Sequence, residues 1–356
     1  MERDSRSVLQ EKMKTVFITG VTGQDGYHLA EYLTMYFPEY RVVGFTRDRL
    51  ASSEQGLLLD TFGEQFIVQH LDVRDGLALK YFFNHYYPDY FVNFAASTSP
   101  SASWENVSEV FDSNANSVAK ILERIRLSRP TCRFFSAGSC LELSLLKTPY
   151  SLSKSTAGEL VSMFRDKYDL FAVHGILFNH TSPRSKESFS VCKIAKGAAR
   201  IFSSISALSE FEPIVLDGDI SNLIDWSDSR EIVRGVWNIL QEKTPIDKPH
   251  LCSGVKRRLS DIIFSAFYSL GVVGEWRADG FYLPDSLVKG MAIKSNCLVK
   301  IDPKEQNKLS DSVTGDTKKM SDIGWRTQIS FDATVKNMVE CFIIENKKAI
   351  TIRSGN

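Results

Sequence analysis

Through the first half of the chain, short and largely apolar runs alternate with longer stretches that are apolar only at every third or fourth position. Residues 16–18 (Val-Phe-Ile), 42–45, 66–71, 91–94, 132–137 and 170–178 are runs of the first kind. A strand buried on both faces of a parallel sheet has that signature, because neither face meets water. The helical period starts at Leu29, Ala30 and Leu33 and returns over 76–86, 107–126 and 150–167. In the long stretch 107–126, Val110, Val118, Ile121, Leu122 and Ile125 supply the apolar positions. Strand and helix taking turns predicts an α/β fold on a doubly wound parallel sheet.

After residue 178 the alternation fades. Residues 179–189 read as a polar loop, 191–205 as a helix and 229–241 as an amphipathic helix, with short extended pieces near 217–219 and 224–226. A strand near His250, helices near 259–270 and 331–344 and an extended piece at 298–301 complete the chain. The pattern predicts a large domain from 14–178 with about 228–252, and a smaller mixed α/β lobe from 179–227 and 253–346. Residues 1–13 and 347–356 read as flexible ends. The cleft between the two parts is where an open α/β sheet binds its ligand.

The chemistry begins at the first strand, which Gly20, Gly23 and Gly26 follow at once. A strand, a glycine turn and a helix make a phosphate site: backbone N–H groups approach a pyrophosphate, and the helix N-terminus adds partial positive charge. The spacing is G-x-x-G-x-x-G rather than G-x-G-x-x-G. At the end of the second strand an acid would bond the ribose of NAD, whereas a base would hold the 2′-phosphate of NADP. That strand ends Gly44-Phe-Thr-Arg47-Asp48-Arg49, so the two arginines favour NADP, and Asp48 leaves NAD possible. Asp72, after the third strand, is placed to meet an adenine amino group, and small residues in Asn93-Phe-Ala95-Ala96 permit close approach of a cofactor.

Tyr150-Ser-Leu-Ser-Lys154 is the one place where lysine follows tyrosine by four. On a helix those positions share a face. An ammonium there, together with an oxidised nicotinamide, lowers the tyrosine pKa, so that the phenol removes a hydroxyl proton while hydride leaves for the cofactor. The fifth strand ends Ser136-Ala-Gly-Ser139-Cys-Leu-Glu142, and the Ser139 hydroxyl is placed to bond the reacting oxygen.

Composition narrows the classes. A 356-residue chain with 43% hydrophobic residues can build a sizeable core, and its formal net charge of zero gives no electrostatic footprint for a nucleic acid. No apolar run reaches membrane-spanning length, and residues 1–14 lack the apolar stretch of a signal peptide. Cys132, Cys140, Cys192, Cys252, Cys297 and Cys341 include no C-x-x-C pair and lie mostly in apolar surroundings, as expected of reduced thiols in a cytoplasmic protein. Asn106 and Asn179 head glycosylation sequons, which carry no weight without a secretory signal. The six histidines form no ligand cluster, so no metal is expected.

These residues resemble the extended short-chain dehydrogenase/reductase family, and within it the GDP-mannose 4,6-dehydratase branch. Ile18-Thr-Gly-Val-Thr-Gly-Gln-Asp-Gly26 is similar to its first turn, and Leu170-Phe-Ala-Val-His-Gly-Ile-Leu-Phe-Asn-His-Thr-Ser-Pro-Arg184 is closer still. Gly315-Asp316 and Gly324-Trp325 fit its C-terminal lobe, so the resemblance runs from about residue 14 to 345. It implies a Rossmann domain with a small nucleotide-sugar lobe, tightly held NADP and a homodimer or homotetramer packed through helices 107–126 and 150–167. On the cofactor side it implies Gly20, Gly23, Gln24, Asp25, Gly26, Arg47, Asp72, Val73, Ala95, Tyr150 and Lys154. On the side of the nucleotide-diphosphate sugar it implies Thr98, Asn179, Arg184 and Lys193, with Lys308 in place of a late Arg-Pro. The implied reaction is C4 oxidation by Tyr150 and NADP, removal of the C5 proton by a glutamate, loss of water from C6 and return of hydride to C6. Here Ser139 takes the place of the threonine in the family's Thr-x-Glu, but Leu141 takes the place of the glutamate, and Glu142 comes one residue late. The family's Arg-Asp-Trp is Ile224-Asp-Trp226, and few residues separate Glu142 from Tyr150. Two alternatives follow: a nucleotide-sugar C4 oxidoreductase or epimerase that needs Ser139, Tyr150 and Lys154 but no glutamate, and a dinucleotide-binding sensor without turnover.

Overall fold

The computed structural model describes residues 13–217, 219–288, 295–302 and 313–354. Six strands form along the apolar runs: β1 (Lys14–Thr19), β2 (Tyr40–Thr46), β3 (Phe66–His70), β4 (Tyr90–Asn93), β5 (Arg133–Ala137) and β6 (Ala172–Leu177). Between them lie α1 (Gln24–Tyr36), α2 (Ser52–Phe62), α3 (Gly76–Tyr86), α4 (Val107–Phe111), α5 (Ser117–Ser128) and α6 (Pro149–Tyr168). Alternate residues of each strand enter opposite layers. Val16, Ile18, Val42, Phe135 and Val173 join one core with α1 and the later helix 229–241, whereas Phe17, Val43, Phe91 and Phe134 pack with α3, α5 and α6. Each of these side chains is buried, which stabilises the fold by about 1.5–3 kcal/mol apiece.

The rest of the chain comprises β7 (Asn179–Thr181), α7 (Ser190–Ser206), β8 (Ile214–Asp217), β9 (Leu223–Asp228), α8 (Ser229–Gln241), β10 (His250–Leu251) and β11 (Lys256–Arg258). Then follow α9 (Leu259–Tyr268), β12 (Glu275–Arg277), β13 (Gly280–Tyr282), α10 (Asp285–Val288), β14 (Cys297–Asp302), α11 (Lys318–Asp322) and α12 (Phe331–Ser354). The main sheet is parallel throughout, in the order β10-β6-β5-β4-β1-β2-β3. The order reverses between β1 and β4, and the crevice there, at the carboxyl ends, is where such sheets bind ligands. A smaller lobe carries the sheets β11-β9-β7 and β12-β13-β14-β8, with a core where α7, α9 and α12 meet.

The structure departs from the sequence pattern in several places. The helix expected over 107–126 is interrupted by a π turn at Asp112–Asn116. Residues 179–181, expected as loop, pair as β7 with β9, a piece too short to show any period. Residues 320–325, expected in the small lobe, return to the large core: Met320 and Trp325 are buried there, and the Trp325 indole donates to the Glu231 carbonyl at 3.2 Å. Gly235 makes this possible, since a Cβ there would lie 2.8 Å from the Trp325 ring. Helix α12 continues to Ser354, through most of the stretch expected as a flexible end, while residues 1–12 lie outside the described residues. Among the described residues no helix is long and apolar enough to cross a membrane, and no three His, Cys, Asp or Glu side chains are grouped to hold a metal ion.

Candidate active site

The turn after β1 needs its glycines for two separate reasons. Gly20 has φ +69°, and a Cβ on it would stand 3.2 Å from the Ala95 nitrogen. A Cβ on Gly26 would stand 2.3 Å from the Gly20 carbonyl oxygen, so only glycine lets α1 pack this close to β1. Gly23 is the N-cap of α1 and donates its N–H to Gly20 O at 3.0 Å. Thr19, whose hydroxyl donates to Asn93 at 2.6 Å and accepts the Ala95 N–H at 3.2 Å, ties the turn to the end of β4. A cleft of about 520 Å³ opens beside it, lined by Gly20, Arg47, Asp72, Val73, Ala95 and Thr98 among others. A cradle that a Cβ would fill, facing a helix N-terminus, suits a dinucleotide pyrophosphate.

Gln24 and Asp25, expected on the cofactor, turn their side chains to the smaller lobe instead. Asp25 meets His180 Nε2 at 3.0 Å, while His180 Nδ1 donates to the Phe178 carbonyl at 2.6 Å. Gln24 Oε1 accepts from Ser182 at 3.0 Å and also from Ser185. Burial alone would raise Asp25, but the charge and hydrogen bond of His180 outweigh it and hold the carboxyl below its ordinary value. Burial would likewise depress His180, yet Asp25 and the Phe178 carbonyl raise it. With acceptors at both nitrogens the ring is a charged imidazolium. Arg184, expected on the substrate, has its guanidinium 3.4 Å from the Tyr27 ring centroid. Asp72, expected on adenine, grips Arg74 through both oxygens, and that bond keeps its carboxyl below the ordinary value.

At the ends of β5 and α6 the structure brings Ser139, Tyr150 and Lys154 together. Thr148 caps α6 by accepting the Ser151 N–H, and Pro149 fixes the first turn, so Tyr150 and Lys154 project from one helix face. Ser139 stands beside the buried Tyr150, and Lys154 Nζ donates to the Ala137 carbonyl at 2.7 Å. Burial pushes Tyr150 up to about 12, with the nearby Ser139 side chain pulling the other way. Burial also brings Lys154 down to about 8. The expected lowering of the tyrosine by its lysine is therefore not what the protein alone provides: desolvation dominates both groups.

Leu141 is half-buried. Glu142 turns inward: its carboxylate accepts the Ser139 N–H at 2.7 Å and meets His174 Nε2 at 3.1 Å. Asn179 donates weakly to Cys140 Sγ at 3.9 Å, Thr98 accepts from Lys186 at 3.1 Å, and Lys193 is exposed on α7. Lys308 lies outside the described residues. The sequence reading missed the roles of His174, His180 and Asn114. Asn114, carried on the π turn, holds Ser97 N at 2.8 Å and Ser153 at 3.0 Å, linking the β4 loop to α6. Periodicity holds no sign of the two histidines' roles, because their carboxylates are 32 and 155 residues away in sequence.

The chain is 28% identical to a GDP-mannose 4,6-dehydratase of Vibrio cholerae, over 94% of each protein. Its fold is similar to that of a dTDP-glucose 4,6-dehydratase from Bacillus anthracis in complex with NAD: TM-score 0.73, 14% identity, 94% of this chain and 97% of that one. It is also similar to RMD from Pseudomonas aeruginosa complexed with NADPH: TM-score 0.68, 16% identity, 93% and 99% covered. The sequence pattern of one family matches residues 16–252, a span that includes the glycine turn, Ser139, Tyr150 and Lys154. On that match and this fold, the chain belongs to the NAD dependent epimerase/dehydratase family.

Proposed function

We propose that this protein is a nucleotide-sugar-modifying enzyme that oxidises the sugar at C4. Tyr150 takes the C4 hydroxyl proton, Ser139 orients the reacting oxygen, and Lys154 supplies positive charge beneath them. The observation that carries this reading is that Ser139, Tyr150 and Lys154 meet where β5 ends and α6 begins, with Lys154 Nζ held on the Ala137 carbonyl at 2.7 Å, at the same edge of the sheet as the glycine turn. A bound nicotinamide dinucleotide supplies the hydride acceptor. Lys154, lowered only to about 8, remains mostly an ammonium at neutral pH and favours the phenolate. A positioned acid–base group of this kind contributes about 10²–10⁴-fold to the rate. NADP is favoured by Arg47 and Arg49, exposed just beyond β2. Asn179, Arg184 and Lys193 are assigned to the diphosphate sugar, which requires Arg184 to leave the Tyr27 ring. A homodimer or homotetramer through α5 and α6 is supported by the outward-facing Leu152 and Met163 on α6.

Two continuations differ after C4 oxidation. A 4,6-dehydratase would lose water from C6 and return hydride there, and the similarity to GDP-mannose 4,6-dehydratases over most of the chain favours it. A C4 oxidoreductase or epimerase needs no elimination base, and the inward turn of Glu142 beside Leu141 favours that course. Mass spectrometry of nucleotide sugars, GDP-mannose first, after incubation with purified protein and no added cofactor, tests the proposal. Loss of one water over many turnovers marks the dehydratase. Loss of two hydrogens, matched to bound cofactor, marks the oxidoreductase, and unchanged mass with inverted C4 by NMR marks the epimerase. If no sugar changes, or if Tyr150→Phe acts like the parent, the enzyme reading fails and the dinucleotide-binding sensor takes its place.

A further inference from the structure

We infer that Glu142 and His174 are a positioning pair beneath the catalytic turn: the carboxylate fixes the Ser139 backbone, the imidazole fixes the carboxylate, and neither removes a proton from the substrate. The inference rests on the proposed C4 oxidation and says which residues prepare it. Immediately after β5 the chain makes a short 3-10 turn, Cys140–Leu143, with Ser139 as its N-cap. Ser139 Oγ accepts the Leu141 N–H at 3.3 Å, and Glu142 reaches back to accept the Ser139 N–H at 2.7 Å. This is a reciprocal capping box, which fixes the residue that carries the reactive hydroxyl.

What sets it apart from a surface capping box is its depth. The Glu142 and His174 side chains are 7% and 1% exposed. His174 Nε2 lies 3.1 Å from both carboxylate oxygens. His174 Nδ1 is buried and has no hydrogen-bond partner among the described residues. One tautomer satisfies this arrangement: a neutral ring with its proton on Nε2, donating to the carboxylate. Two glycines make room for the ring. A Cβ on Gly138 would lie 2.5 Å from His174 Nε2 and 2.7 Å from Glu142 Oε1, and one on Gly158 would lie 2.8 Å from His174 Cδ2. The imidazole is thus a wedge between the strand end that carries Ser139 and the helix that carries Tyr150 and Lys154. A carboxylate committed to a backbone N–H and an imidazole, and closed from the cleft, is not placed to take a C5 proton.

The test compares Glu142→Ala, Glu142→Gln and His174→Asn in the full-length protein loaded with NADP. The hydride step is read from reduced-nicotinamide absorbance on mixing with nucleotide sugar. Misplacing a reacting group by about 1 Å costs about 10²-fold. Glu142→Ala is therefore expected to lower the oxidation rate about 10- to 100-fold, with KM and dinucleotide affinity unchanged. It also moves the rising limb of the pH–rate profile upward, because Ser139, which pulls the Tyr150 pKa down, is no longer held beside it. Glu142→Gln keeps an oxygen for the Ser139 N–H and restores most of the rate. The opposite result overturns the inference: oxidation intact in both Glu142→Ala and Glu142→Gln, with water loss abolished in both, makes Glu142 the elimination base. Hydrogen exchange of the 138–144 segment decides the pair independently of substrate. Exchange faster in Glu142→Ala and His174→Asn, and restored in Glu142→Gln, supports it, whereas equal exchange in all three and the parent refutes it. A parent protein that transfers no hydride with normal exchange behaviour would overturn the proposed function and leave the pair standing.

Discussion

Asp25 and His180 meet at 3.0 Å across the two lobes, whereas Glu142 and His174 meet at 3.1 Å inside the large one. In the first pair both ring nitrogens have acceptors, and the side chains keep 21% and 14% of their surface in water. In the second pair only the imidazole's Nε2 has a partner among the described residues, and both groups are almost fully enclosed. A carboxylate paired with an imidazole therefore makes an ionic link where water still reaches and a neutral wedge where it does not. Charge survives where solvation and a second acceptor support it; in the closed slot a second buried ionic charge would cost several kcal/mol.

The largest way to break this contrast is to remove one partner of the ionic link. His180→Ala leaves the Asp25 carboxylate without its cation, and about 3 kcal/mol of stability is lost in urea denaturation, the low end for such pairs because Asp25 keeps some solvent. Asp25→Asn in the same chain recovers part of that loss.

Lys154 sharpens the comparison as a buried cation that donates to the Ala137 carbonyl rather than to a carboxylate. Its folded value, about 8, lies below its ordinary 10.5, so the folded chain binds fewer protons than the unfolded one between those values. Stability then rises with pH across that window and is lower by about 3 kcal/mol below it. Lys154→Met is expected to remove that pH dependence and to be more stable than the parent by about 2 kcal/mol at neutral pH, measured as a melting shift, while ending hydride transfer.

Breaking the neutral wedge costs less. Glu142→Ala forfeits about 1–2 kcal/mol, because it leaves the Ser139 N–H and His174 Nε2 unpaired but strands no charge. The smallest effect is the pH response of the ionic link. His180 is raised, so its contribution is whole below about pH 6.5 and fades as pH rises through the raised value. Asp25 is lowered, so its contribution is whole above about pH 4 and fades as pH falls through the lowered value. The stability gap between the parent and His180→Ala, read from urea denaturation, should be widest between those limits and narrow on either side of them.

The sequence made the large domain legible because its strands are buried on both faces and its glycines have no substitute: Gly20 needs positive φ and Gly26 a missing Cβ. Ser139, Tyr150 and Lys154 were visible for a similar reason, since helix spacing places the last two on one face. Gln24, Asp25 and Arg184 stand where a site would want them, yet their side chains face the other lobe, and no period in one segment records that. Glu142 was readable only as a displaced acid, because the His174 that holds it comes from a strand 32 residues on. Short strands such as β7 and the π turn around Asn114 were invisible because pairing and side-chain bonds, not hydrophobic period, create them.

The central claim is that Tyr150, beside Ser139, takes the proton of a sugar hydroxyl while the hydride leaves for the nicotinamide dinucleotide. The most direct test is rapid mixing of NADP-loaded protein with nucleotide sugar, following reduced nicotinamide in the parent and in Tyr150→Phe. The account predicts a transient of reduced cofactor in the parent and its loss by at least about 10²-fold in the variant. Equal transients in both proteins, or none in either with any nucleotide sugar, would contradict it.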